Sequence, residues 1–291
     1  MTLSRRRFLT VSAAFAAMPL GAQAHSWQGF AFGAQVNLTV KGPRSQAQSV
    51  LAEARRLIGK LERLFSLYDP ASALSMLNRN GALAAPDASF MALMQAADYA
   101  HRVSDRLFDP TVQALWAALS QGVTPDAARA RVGWDRVQIS ENRIALGPSQ
   151  AVTLNGIAQG FATDRIADML LARGFGDMLV NIGEYRGTGG PFTLALSDPA
   201  HGIMGHRTLS DGAIATSSPT ATMLGVQGHI LHPTARPQWS SVSVEAAQAT
   251  IADSLSTAMV LAPRDQIQIM KERSGIARVT LVDFDGNLST V

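Results

Sequence analysis

Cysteine is absent from all 291 residues. That excludes disulfides, thiolate metal ligands, a cysteine nucleophile and the lipid-bearing cysteine of a lipoprotein. Charge is sparse, at 16% of residues, and no run of Lys and Arg suggests a nucleic-acid or membrane surface. Acids are missing from the first 24 residues, which hold Arg5, Arg6 and Arg7. Without those three, the basic residues only equal the 22 acidic ones. The sequence pI of 9.7 therefore reflects the N-terminus and not a basic surface. A long apolar run is also missing: the stretch from Phe8 to Leu20 is too short for a permanent membrane span.

What the N-terminus does carry is the pattern of an export signal. Arg5-Arg6-Arg7 precedes Phe8-Leu9, an apolar run follows, and Ala22-Gln23-Ala24 offers small residues for a signal peptidase. The paired arginines resemble the twin-arginine signal, whose cargo crosses already folded. The expectation is a signal over 1–24, a chain starting near His25, and a soluble periplasmic protein with no permanent membrane anchor and no nucleic-acid partner.

The remainder is 47% hydrophobic over the whole chain, as in ordinary globular proteins. No repeat, low-complexity tract or linker divides it, so residues 25–291 are expected to form one domain. Val36, Leu38 and Val40 alternate as in a strand. Apolar spacing predicts helices over 45–65, 88–104 and 159–172, the last closed by Arg173-Gly174. Ser72 caps a short helix to Leu77, and Pro125-Asp126 opens another that ends near Gly133. Further helices are expected over 251–261, before Pro263, and over 265–273. Strands are expected around 137–139, 151–154, 178–182, 192–196, 214–216, 242–244 and 277–284. Helices and strands mixed without regular βαβ alternation point to the α+β class.

Three segments carry chemistry. In Asp253-Ser254-Leu255-Ser256-Thr257, a four-residue spacing puts Asp253 and Thr257 on one helix face. A carboxylate and a hydroxyl there offer hard oxygen ligands to a cation such as Mg²⁺. Taken alone, the pair reads better as a helix cap with a solvated threonine. In Leu154-Asn155-Gly156-Ile157-Ala158-Gln159-Gly160, a strand runs through glycines into a helix N-terminus, which attracts phosphate. Its spacing is neither a Rossmann fingerprint nor a Walker loop. Gly228-His229-Ile230-Leu231-His232-Pro233 places a candidate general base at His229. A zinc site would need a third ligand, and His201 and His206, expected in a loop, make a poor set. Asp283 to Asn287 reads as a hairpin turn.

Taken in order, these segments resemble the ApbE family, the FAD:protein FMN transferases. Phe65 to Asn78 is similar to the family's Ser-x-Tyr and Ser-x-Leu-Ser-x-Leu-Asn segments, and Leu107-Phe108-Asp109-Pro110-Thr111-Val112 to its Phe-Asp-Pro-Thr-Val element. Leu154–Asp164, Asn181–Glu184, Ala215–Ser217, His229–Pro233 and Asp253–Thr257 supply the other five matches. The resemblance implies an α+β, T-fold-related architecture of mixed sheets with packed helices, and a flavin cleft between two halves. It implies Mg²⁺ held by Asp253, Thr257 and the carbonyl of Gly156. Phe32, Tyr68, Leu107, Phe108, Asp109, Thr153, Gln159 and Ile230 would line the site for FAD, the substrate. Catalysis would fall to Asp253 and to His229 as base. The implied reaction moves FMN from FAD to a Thr or Ser hydroxyl of an exported acceptor flavoprotein in a periplasmic redox system, with loss of AMP. An FAD pyrophosphatase and a non-catalytic FAD carrier are the alternatives. The chain departs from the family pattern at Phe32-Gly33-Ala34 for Met-Gly-Thr, Gln159 for Lys, Thr153 for an acid, Ser218-Pro219 for Gly after the Ser, and His232 for Asp.

Overall fold

The computed structural model of the chain describes residues 23–225 and 227–291. The expected export signal lies outside these, apart from its last two residues. The chain opens with a hairpin, β1 (Ala24–Ala31) and β2 (Ala34–Lys41), joined at Phe32-Gly33 with φ of 52° and 73°. Two left-handed residues suit the twist of a two-residue hairpin. Then come α1 (Arg44–Phe65), α2 (Ala73–Asn80), β3 (Ala82–Ala84), α3 (Ala88–Val103), α4 (Gln113–Ser120), α5 (Asp126–Arg129), β4 (Gln138–Ser140) and β5 (Arg143–Ala145). The second half runs α6 (Ala158–Ala172), β6 (Met178–Ile182), β7 (Tyr185–Thr188), β8 (Phe192–Asp198), β9 (Gly202–Leu209), β10 (Gly212–Ser217), β11 (Met223–Leu224) and β12 (Gln227–Gly228). It ends with β13 (Ser241–Ala246), α7 (Ala249–Met259), α8 (Arg264–Ser274), β14 (Arg278–Val282) and β15 (Leu288–Thr290). This is the α+β architecture expected.

Eight strands form one antiparallel sheet in the order β1-β2-β6-β7-β10-β13-β14-β15. Period-two alternation sorts their side chains to two faces. Val36, Leu38, Val40, Val180, Ile182, Val242, Val244, Val279 and Leu281 point into the main core beneath α1, α3, α6 and α7. Leu179, Tyr185 and Ile214 point the other way, where the β8–β9 ribbon covers them with Phe192, Leu194 and Leu209. Long stretches of the central strands are therefore apolar on both sides. That is why they read as continuous buried runs.

Several expectations need correction. Residues 151–154 form no strand. They are extended, but Val152 pairs with the side chain of Asn78, which accepts from its N–H at 2.7 Å and donates to its carbonyl at 2.8 Å. An amide side chain thus replaces a neighbouring strand. The helix at Asp126 ends at Arg129, short of Gly133. The strand expected over 277–284 stops at Val282, where Asp283 turns the chain by accepting the N–H groups of Asp285 and Asn287. His206 sits in β9 and not in a loop. Apolar spacing marks neither the edge strand β1, whose residues are exposed at every second position, nor α4, β3, β5, β7, β9 and β15.

One glycine decides how α6 meets α7. A Cβ on Gly160 would stand 2.3 Å from the Ala249 carbonyl oxygen and 2.7 Å from Asp253 Cβ. Both are too close, and the first is backbone that cannot step aside. Gly160→Ala is expected to cost about 1–3 kcal/mol of unfolding free energy by urea denaturation. An unchanged midpoint would contradict this packing.

Candidate active site

The first turns of α6 and α7 run past each other in opposite senses, and each is capped by a carboxylate from the other. The four first N–H groups of a helix lack partners of their own. In α6, the Gly160 N–H is donated to Asp253 Oδ2 at 2.8 Å. In α7, the N–H groups of Ala249 and Thr250 are donated to Asp164 Oδ1 and Oδ2 at 2.9 and 2.8 Å, and the Thr250 hydroxyl adds a third bond to Oδ2. Negative charge at a helix N-terminus is stabilised by the peptide dipoles. Arg186 balances Asp164 at 2.9 Å and also holds Asp168. Asp253 is thus the fifth residue of α7 and caps a different helix from its own.

No cation balances Asp253 or its neighbour Glu184 among the described residues. Asp253 is 4% exposed. Burial pushes its carboxyl from the ordinary 3.8 up to about 7, against the Gly160 N–H that favours the anion and with added repulsion from Asp164. Glu184, in the β6–β7 turn, is raised well above the carboxylate range, first by burial and then by the Asp253 charge. The Thr216 N–H donates to Glu184 Oε2 at 3.0 Å and opposes that shift. Two buried acids that resist ionisation make a place where a cation would be welcome. Among the described residues no three His, Cys, Asp or Glu side chains converge, so any metal here must also rely on neutral oxygens.

Such oxygens are at hand. Thr257 lies one turn beyond Asp253 on α7, as the sequence spacing predicts. Its Oγ1 is 3.0 Å from where a Cβ on Gly156 would stand, with the Phe108 ring at 3.3 Å. Gly156 is therefore required by close approach. The Gly160 N–H, one turn on, bonds to Asp253 in place of the Gly156 carbonyl. Asp253, Thr257 and the Gly156 bend thus meet at the N-terminus of α6.

His229 stands at the end of the β11–β12 hairpin. Its Nδ1 lies 3.0 Å from the Pro219 carbonyl and 3.2 Å from that of Thr222. Carbonyls only accept, so Nδ1 carries the proton and Nε2 the lone pair of the neutral ring. Its own N–H also donates to the Pro219 carbonyl at 3.1 Å. A Cβ on Gly228 would fall 2.3 Å from that oxygen, so the preceding residue has to be glycine. Pro219 follows Ser217 and Ser218, and Ser217 Oγ is 3.1 Å from Thr257 Oγ1. This bend links the histidine to the Asp253–Thr257 pair.

The other expected residues divide. Phe32 and Gln159 belong together: Gln159 Nε2 donates to the Phe32 carbonyl at 3.2 Å, and the Phe32 N–H donates to Glu62 at 3.0 Å. The Gln159 amide lies flat against Gly183, where a Cβ would be 2.6 Å from its Cδ. Phe108 packs at Gly156, and Ile230 is buried beside His229. Asp109 and Thr153 have structural partners. Asp109 accepts from the N–H of Thr111 and of Trp134, and Thr153 Oγ1 accepts the Asn155 N–H. Leu107 is half-buried after two consecutive left-handed residues, Asp105 and Arg106, with φ of 48° and 74°. Tyr68 is 69% exposed, and nothing ties its side chain to the others among the described residues. Sequence reasoning did not assign roles to Glu184, Asp164 and Ser217. The available signal was an acid or hydroxyl directly after, or inside, an apolar buried run.

The fold defined by this arrangement is that of the ApbE flavin transferases. The chain superposes on the flavin transferase ApbE from Vibrio cholerae with a TM-score of 0.81 at 24% identity, covering 93% of this chain and 97% of that one. The ApbE protein from Thermotoga maritima gives 0.81 at 24%, covering 92% and 96%. The flavinyl transferase ApbE from Pseudomonas stutzeri, in its apo form, gives 0.80 at 24%, covering 94% and 97%. No curated protein sequence matches significantly. The ApbE family profile matches residues 32–280, and the chain belongs to that family.

Asp253 and Glu184 bind protons more tightly folded than unfolded. They therefore cost stability as pH rises above the ordinary carboxylate range, with the Asp253 share fully present above about 7. In metal-free buffer the thermal midpoint of Asp253→Asn is expected to gain on that of the wild type as pH rises from about 4 to about 7. A difference between the two that stays constant across this window would contradict the assignment.

Proposed function

We propose that the chain is an exported, Mg²⁺-dependent FAD:protein FMN transferase of a variant type with Gln at position 159. It moves FMN from FAD onto a Thr or Ser hydroxyl of a periplasmic acceptor flavoprotein and releases AMP. The observation that carries this reading is the meeting of buried Asp253 with Thr257 and Gly156 at a helix N-terminus, in a chain of the ApbE family.

Asp253, Thr257 and the Gly156 carbonyl would hold Mg²⁺. When bound, the ion supplies charge neutralisation on the pyrophosphate oxygens as the bridge is split. The chain's own groups do the rest. Phe32, Phe108 and Ile230 offer apolar surface to the flavin, and Gln159 fixes the Phe32 turn. His229, with its proton held on Nδ1, presents Nε2 to take the proton of the acceptor hydroxyl. That oxygen bonds to the FMN phosphorus while the bond to the AMP oxygen breaks. Gln159 offers no charge to the phosphates, so more of the electrostatic work falls on the metal.

The test is incubation with FAD, Mg²⁺ and candidate periplasmic redox proteins, read by in-gel flavin fluorescence, mass spectrometry and AMP release. Covalent FMN on the acceptor is expected. Asp253→Ala should lower the rate by about 10²–10³-fold, as for loss of a charge-stabilising group. Free FMN and AMP without acceptor would instead identify an FAD pyrophosphatase. FAD recovered intact with Mg²⁺ present would identify a carrier.

A further inference from the structure

Three hydroxyls on β10 and α7 form a chain whose direction is fixed. Ser256 Oγ donates to the Asp253 carbonyl at 3.0 Å, because a carbonyl cannot donate. Its single proton is then committed. The 2.8 Å contact between Ser217 and Ser256 must therefore use the proton of Ser217. The 3.1 Å contact between Ser217 and Thr257 must in turn use the proton of Thr257. One assignment satisfies all three: Thr257 to Ser217, Ser217 to Ser256, Ser256 to the Asp253 carbonyl. Ser256 is fully buried and Thr257 and Ser217 are half-buried, so competing water is limited.

We infer that Ser217 is a positioning residue for the metal: it turns the Thr257 hydroxyl into a donor on the protein side and leaves both Oγ1 lone pairs for a divalent cation. A threonine hydroxyl can rotate, and a ligand that points its proton at a cation does not bind it. Hydrogen-bonded groups behind a ligand commonly set metal affinity in this way. The relay also ends on the backbone of Asp253, so both side-chain ligands are held by one network. Ser217 is itself anchored from behind. Its neighbour Ser218 bonds to Ser241 at 2.6 Å, and Ser241 donates to buried Asp198. The inference rests on the proposed metal site of the transferase.

The experiment is a Mn²⁺ titration of the purified protein without FAD, read by the loss of the free-ion EPR signal. Wild type should bind one Mn²⁺, and Asp253→Asn should lose it. Ser217→Ala is expected to weaken binding about 10-fold or more, as for other groups behind a metal ligand. Ser217→Thr, which restores the hydroxyl, should recover most of it. Ser256→Ala, which removes the acceptor of the Ser217 proton, should weaken binding as well and serves if Ser217→Ala does not fold. Wild-type affinity in both alanine variants, with Asp253→Asn still inactive in binding, would overturn the relay while leaving the metal site intact. No Mn²⁺ bound by the wild type would overturn the metal site and the relay together.

Discussion

Two carboxylates exchanged between two helices hold this molecule's centre together. Asp253 of α7 receives an N–H from the first turn of α6, and Asp164 of α6 receives two from the first turn of α7. Each helix start would otherwise be buried with unpaired donors, at about 1–3 kcal/mol per group. The exchange requires the two backbones to nearly touch, which Gly160 permits. Everything around the candidate site is referenced to this crossing. Gly156 and Gln159 stand just before and within the first turn of α6, and Thr257 lies one turn beyond Asp253 on α7.

The two acids differ in what surrounds them, and that difference separates structure from chemistry. The Asp164 carboxylate accepts from three groups, the N–H groups of Ala249 and Thr250 and the Thr250 hydroxyl, and also from the guanidinium of Arg186. Among the described residues Asp253 has one N–H and no cation, and its charge helps to raise the neighbouring Glu184 carboxyl well above its ordinary value. A fold that needed only a cap would have no reason to leave the second acid unbalanced. The cost of keeping it so is consistent with a site whose balancing charge arrives with a ligand.

Much of this was legible in the sequence. The long helices showed in their apolar spacing, and Ser72 and Gly174 marked ends correctly. The pairing of Asp253 with Thr257 followed from a four-residue interval. What it lacked was the third dimension. Nothing in the local sequence says that Asp253 caps a helix ninety residues away, and the natural reading of an acid near a helix start is a cap for its own helix. Residues 151–154 have the composition of a strand but pair with an asparagine side chain, which no periodicity reports. The backbone N–H partners of Asp109 and Thr153 follow from local turns that no spacing announces. The edge strand β1 was missed because Trp27 and Phe30 fall on opposite faces of a strand with few other apolar residues.

The reciprocal caps make one claim that independent caps do not: loosening either helix start should loosen the other. Native-state amide hydrogen exchange in Asp164→Ala tests it most directly. Protection should fall at Ala249 and Thr250, which lose their acceptor, and also at Gly160, whose own acceptor Asp253 is untouched. Full protection of Gly160 in that variant would contradict the account, leaving two separate caps that merely lie side by side.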